Sequence, residues 1–178
     1  MKIFLIRHAR PDWDRRDIPY DIRPGPMLTP QGEKEAEALA GFLDGQGVAK
    51  LYYSPFERAA RTARIVSQVN HIPAIEEPRL AEWRGIDEPE ISVRTRMVAT
   101  FEQAAAESSE LGPVGLVSHG GPIALLLREL GIDREELAKY RTKFDTTNPL
   151  PPAGAWEVLK KTADENWSFR LSFTPPVD

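Results

Sequence analysis

The sequence contains no cysteine, which excludes disulfides, a thiolate nucleophile and thiolate metal sites. It has only three histidines, too few to suggest a histidine-built metal cluster. Long apolar runs are missing as well. The stretch before Arg7 is far shorter than a membrane span or the core of a secretory signal, so a cytoplasmic protein without a membrane partner is the default expectation. Nor is there an excess of basic charge. A net charge of −4 gives no general attraction to nucleic acid, so any anion site has to be a local cluster of arginines. No repeat, low-complexity tract or linker divides the 178 residues, a length that suits one domain, 1–178, with a full core.

What is present is organised around Lys2-Ile3-Phe4-Leu5-Ile6-Arg7-His8. An apolar run without polar alternation fits a strand covered on both faces, as in a parallel α/β sheet. Such sheets bind ligands beyond the carboxyl ends of their strands, where Arg7 and His8 emerge. Arginine offers a fixed fork of donors for phosphate or carboxylate, and a neutral histidine nitrogen is a nucleophile near pH 7.

From Ala9 to Met27 the chain holds four prolines and no periodicity, which reads as a long surface loop leaving the suspected site. Thr29 and Pro30 mark a helix start as N-cap and first helical residue, with Ala36, Leu39, Ala40, Phe42 and Leu43 as its apolar stripe and Gly45 to Gly47 as its end. A short strand, Leu51 to Tyr53, then runs through Ser54-Pro55 into a helix reaching about Asn70. Ala59, Ala63, Val66 and Val69 form the expected buried side of that helix, and Arg58 sits in its first turn, where backbone N–H groups and the macrodipole already favour anions. Arg61 and Arg64 read as a solvated face. His71 reads as an exposed C-terminal cap.

Ile72 to Ile75 is a candidate strand, and 76–90 is irregular and acidic. A helix from Ile91 to about Ser108 follows, with Val93, Met97, Val98, Phe101 and Ala104 on its apolar side. Val114 to Ser118 is another buried strand, ending in His119-Gly120-Gly121 before an apolar helix, Pro122 to Leu130. Two buried strands that each end in a histidine form the strongest internal pattern. A short helix near Arg134 to Tyr140 and a proline-rich loop, 148–152, lead to a closing hairpin, Ala155 to Leu159 and Trp167 to Phe173.

Five motifs in this order, Leu5-Ile6-Arg7-His8, Leu28-Thr29-Pro30-Gln31-Gly32, Ser54-Pro55-Phe56-Glu57-Arg58-Ala59-Ala60-Arg61-Thr62-Ala63, Leu80-Ala81-Glu82 and Val117-Ser118-His119-Gly120-Gly121, resemble the histidine phosphatase superfamily, also called the phosphoglycerate mutase-like family. The resemblance implies a three-layer α/β/α sandwich with a mostly parallel central sheet. It also implies that His8 carries a phosphohistidine, that Arg7, Arg58 and His119 surround the phosphoryl group, and that Glu82 is the acid for the leaving oxygen. No metal or other cofactor is implied. The sequence departs from the family pattern at Ala9, in place of the usual glycine, at Asp14, where asparagine is frequent after tryptophan, and in Glu82-Trp83-Arg84-Gly85, which lacks the longer glycine and Trp-Glu-Gly pattern after the acid.

The interval from Glu82 to His119 leaves room for only a short cap, about 82–110, and hence an open site. A mutase has to keep its intermediate from water, whereas a phosphatase has to admit water. The expected function is therefore a phosphomonoesterase acting on a small-molecule phosphate ester or a phosphorylated protein side chain. A mutase-like phosphotransferase and a non-catalytic phosphate-binding module are the alternatives. The sequence is silent on oligomeric state.

Overall fold

Burial alternates along the first strand, and that alternation sets the layers. β1 (Lys2–Arg7) buries Ile3 and Leu5 with one cluster and Phe4 and Ile6 with another. The computed structural model describes residues 1–140, 148, 150–160, 162 and 166–176. α1 (Pro30–Asp44) and α2 (Glu57–Asn70) pack with the Phe4 side. α3 (Glu90–Leu111), α4 (Gly120–Glu129) and the short α5 (Arg134–Ala138) pack with the Ile3 side.

Between these helical layers lie β2 (Lys50–Tyr53), β3 (Ala74–Glu76), β4 (Val114–Ser118), β5 (Ala155–Leu159) and β6 (Ser168–Phe173), in the order β3-β2-β4-β1-β5-β6. The first four strands are mutually parallel. β5 runs antiparallel to β1, and β6 antiparallel to β5. The sheet is thus mixed α/β and mostly parallel, with the closing hairpin occupying one end, and β6 as the edge. Register places Arg7 opposite Ser118, so β1 and β4 end side by side. That pairing is what brings His8 and His119 together.

Local chemistry explains most boundaries. Thr29 caps α1, its Oγ1 accepting from Gly32 N at 3.0 Å, and Pro30 begins the helix. Gly32 is needed for a close approach, since a Cβ there would lie 2.1 Å from the Arg10 carbonyl oxygen. His71 is the left-handed, exposed C-cap of α2. Three expectations are corrected. The buried stripe of α2 runs through Ala59, Ala63 and Val66 but stops before Val69, which is 53% exposed in the last turn; Ile65 is buried instead. The third strand is displaced to Ala74–Glu76, after Pro73, whose missing N–H suits a connection rather than a ladder. α4 starts at Gly120, not Pro122, because Gly120 and Gly121 let the chain turn from strand directly into helix, making His119 its N-cap. Of the proline-rich loop, Pro149 lies outside the described residues.

Candidate active site

β1 delivers Arg7 and His8 to the carboxyl end of the sheet. His8 N donates to Ser118 O at 3.0 Å, which ties it to β4. Ala9 N donates to Thr62 Oγ1 at 3.0 Å, and Thr62 Oγ1 donates to Arg58 O at 2.7 Å, which ties it to the start of α2. Arg7, 3% exposed, donates from Nη1 to the Leu150 carbonyl at 2.8 Å.

The His8 ring is fully buried. Its Nδ1 lies 2.8 Å from the Ala9 carbonyl oxygen, an acceptor only, so the proton sits on Nδ1 and the lone pair on Nε2 faces the site. Burial first, then the charges of Arg58, His119 and Arg7, hold its pKa well below the usual histidine value. A neutral imidazole with a bare Nε2 is the nucleophilic form.

Arg58, also fully buried, is the hub. Its Nε donates to His8 Nε2 at 3.2 Å, its Nη2 to Glu82 Oε2 at 3.1 Å and its Nη1 to the Tyr20 carbonyl at 3.0 Å. Glu82 Oε1 accepts from Trp83 N at 3.0 Å. Burial alone pushes the Glu82 carboxyl up, but His119, Arg58 and the Trp83 N–H outweigh it and bring the pKa down to about 2. His119 lies with Nδ1 3.2 Å from Glu82 Oε2 and Nε2 2.7 Å from Ser54 Oγ. Its burial lowers its pKa despite the opposing pull of Glu82. The two histidine rings are 5.1 Å apart.

All five expected residues, Arg7, His8, Arg58, Glu82 and His119, therefore meet in one place. Arg61 and Arg64 do not join them; they pair with Glu33 and Glu57 on the surface. Asp14 is exposed, and its backbone N–H donates to Asp12 Oδ1 at 3.1 Å. Two neighbours were not legible in the sequence. Ser54 looked like part of a turn, yet its hydroxyl can donate to a neutral His119 or accept from a charged one. Tyr20 is the sole aromatic residue between Trp13 and Met27, and from that loop its hydroxyl comes to 3.3 Å from His8 Nε2.

His8, Glu82 and His119 also offer ligand atoms within 4.8 Å of one another, a spacing that a cation can use. The histidine count alone did not foresee this, because a carboxylate supplies the third atom. Arg58 already donates to two of the three groups, and its positive charge opposes a cation there. The arrangement suits an anion. Beside it opens a cleft of about 590 Å³, lined by Ile22, Arg23, Phe56, Ala81, Glu82 and Arg84 among others.

Residues 3–90 match the family model of the histidine phosphatase superfamily (branch 1). The chain is 36% identical over 83 residues to the 2,3-bisphosphoglycerate-dependent phosphoglycerate mutase of Thermoplasma acidophilum, covering 46% of this chain and 42% of that protein. It is 30% identical over 91 residues to phosphoserine phosphatase 1 of Hydrogenobacter thermophilus, covering 48% and 43%. These matches span less than half the length of either relative. Among solved structures, the fold resembles a mycobacterial glucosyl-3-phosphoglycerate phosphatase in complex with VO3, at TM-score 0.72 and 18% identity over 99% of both chains. It also resembles the protein histidine phosphatase SixA in complex with tungstate, at TM-score 0.64 and 22% identity over 96% and 94%. From β1 through Glu82 the chain is histidine phosphatase superfamily sequence, and the likeness of fold extends over the strand that adds His119.

Proposed function

We propose that the protein is a metal-independent phosphomonoesterase that works through a phosphohistidine on His8. The observation that carries this reading is the buried, unprotonated Nε2 of His8 facing Arg58. The Nε2 lone pair attacks phosphorus as the ester P–O bond breaks. The electrons of that bond pass to the leaving oxygen, which takes a proton from the Glu82 carboxyl. Water then attacks the phosphohistidine and gives its proton to the Glu82 carboxylate, and the P–N bond returns its pair to Nε2. Arg7, Arg58 and His119 hold the charged phosphoryl oxygens throughout.

Glu82 is ionised in the empty site, so it needs a proton before it can donate one. A bound phosphate dianion supplies the reason to take it up. The dianion draws Arg58 and His119 to itself and adds its own negative charge, and both effects raise the Glu82 pKa. The leaving group occupies the adjoining cleft, which is open to water and favours hydrolysis over transfer to a second acceptor. Small phosphate esters and phosphorylated side chains are the substrate classes that such a cleft accepts. Transfer in the manner of the phosphoglycerate mutases is the second reading, favoured by the match to the Thermoplasma relative. Released inorganic phosphate against a phosphorylated acceptor separates the two. The same reading takes the chain as one domain with a short cap after Glu82, acting in the cytoplasm; among the described residues no helix is long and apolar enough to cross a membrane.

The test is hydrolysis of p-nitrophenyl phosphate and a panel of natural phosphate esters, in chelator, by the wild type and by His8→Ala. Turnover that survives the chelator and is lost in the variant is expected. Turnover that persists in His8→Ala overturns the mechanism, and silence across the panel leaves a phosphate-binding module as the better reading.

A further inference from the structure

The reaction scheme leaves Tyr20 without a part, yet from the 9–27 loop its hydroxyl reaches the His8 ring. The loop is clamped at its base by the Pro11–Leu28 bridge and by Asp12 N donating to Met27 O at 2.8 Å. It is tied to α2 by Glu57 N donating to Pro24 O at 2.9 Å. It also presses on the guanidinium: Gly25 has φ +69°, and a Cβ there would fall 2.6 Å from Arg58 Nη1. These ties make the segment a strap across Arg58.

From the middle of that strap Tyr20 makes three contacts with the site. Its ring lies under Arg58, with Cζ 4.0 Å from the ring centroid. Its carbonyl accepts from Arg58 Nη1 at 3.0 Å. Its hydroxyl is 3.3 Å from His8 Nε2 and, because that nitrogen carries no proton, donates to it. A phosphorus atom in position for attack stands roughly 3–3.5 Å from its nucleophile. The phenol oxygen, together with Arg58 Nε at 3.2 Å, thus stands at the distance from Nε2 that an attacked phosphorus takes.

We propose that Tyr20 is a binding residue that competes with substrate: its hydroxyl caps His8 Nε2 in the empty enzyme, and the phosphoryl group binds by displacing it. This rests on the reading of the site given above. Displacement moves the strap, and Asp21, Ile22 and Arg23, the residues next to Tyr20, line the leaving-group cleft. An ester with a leaving group in that cleft meets the strap and helps to hold it aside, whereas free phosphate meets the phenol alone. Tyr20 thus weakens product binding and leaves esters less affected.

The experiment measures binding of inorganic phosphate by calorimetry to the wild type, Tyr20→Phe and Arg58→Ala, with steady-state kinetics on p-nitrophenyl phosphate beside it. Tyr20→Phe keeps the ring on Arg58 and removes only the competing hydroxyl. It is expected to bind phosphate about three- to tenfold tighter, the range for one net hydrogen bond, with KM falling and kcat not raised. Unchanged phosphate affinity in Tyr20→Phe overturns the proposal, because the hydroxyl then does not occupy the phosphate's place. Weaker binding overturns it too, and makes the hydroxyl a ligand of the phosphoryl oxygens. In both cases Arg58→Ala still loses phosphate, and the site itself stands. If the wild type binds no phosphate and Arg58→Ala matches it, the anion site falls and the role of Tyr20 falls with it.

Discussion

At Arg58 one buried guanidinium serves His8, Glu82 and Tyr20 at once, and its planar fork is what allows three directions from one side chain. Arg58→Ala is expected to lower kcat/KM by about 10²- to 10³-fold, the loss typical of one preorganised donor at a developing charge. Arg58→Lys should recover little, because an ammonium cannot span the same partners; near-wild-type kcat/KM in the lysine variant would show that charge alone suffices. Glu82 makes a different prediction. If its carboxyl protonates the leaving oxygen, Glu82→Gln slows esters of poor leaving groups far more than p-nitrophenyl phosphate, by a factor of about 10² or more. Equal losses across a leaving-group series would assign the proton to another group. The sequence made the residues of this cluster legible where they close a strand or open a helix, because those positions have a direction in the fold. Tyr20 was hidden in an irregular loop, where no periodicity says which side chain turns inward. Ser54 was hidden by its local role beside a proline.

At the level of elements, the Leu28-Thr29-Pro30-Gln31-Gly32 motif couples helix capping to the position of His8. Gly32 lies against the backbone of Arg10, and Glu35 one turn on accepts from Arg10 N at 2.9 Å and pairs with its Nε at 3.1 Å. The start of α1 thus fixes the chain just after His8. Gly32→Ala forces a methyl group onto a backbone oxygen that cannot move aside alone, which is expected to cost about 2 to 3 kcal/mol of stability and to lower kcat as Arg10 and His8 shift. Denaturant unfolding with turnover measured in parallel checks both; a stable variant with full activity would separate the motif from the site. Periodicity located the helices because their apolar stripes are long. It misjudged Val69 and the start of α4, because an apolar residue in a last turn and a glycine pair before a helix look alike whether buried or not. The antiparallel placement of β5 next to β1 is set by pairing across the whole chain, which no local pattern contains.

For the whole molecule, the site imposes a pH dependence on folding. His8 and His119 are buried and have lowered pKa values, so below about pH 6.5 the unfolded chain binds protons that the folded chain refuses. Their contribution therefore falls as pH drops from neutral. Glu82 acts in the same direction further down: its carboxyl lies at about 2 when folded and near 4.5 otherwise, so its stabilisation, of order 3 kcal/mol, is present above pH 4.5 and is lost as pH falls toward 2. Glu35, raised by burial, opposes this trend. The three lowered groups outweigh it, and the melting temperature is expected to decline steadily from pH 7.5 to pH 4. His119→Gln removes one of the protons at issue and also the group that does most to hold the Glu82 carboxyl down, so it should flatten both the upper part of that slope and the part below pH 4.5. Phosphate adds a check on where the charge resides. At a hundred times its dissociation constant it should stabilise the wild type by about 2.7 kcal/mol and Arg58→Ala not at all. A pH slope unchanged in His119→Gln, or phosphate stabilisation that survives the loss of Arg58, would place the titrating and anion-binding groups elsewhere in the molecule.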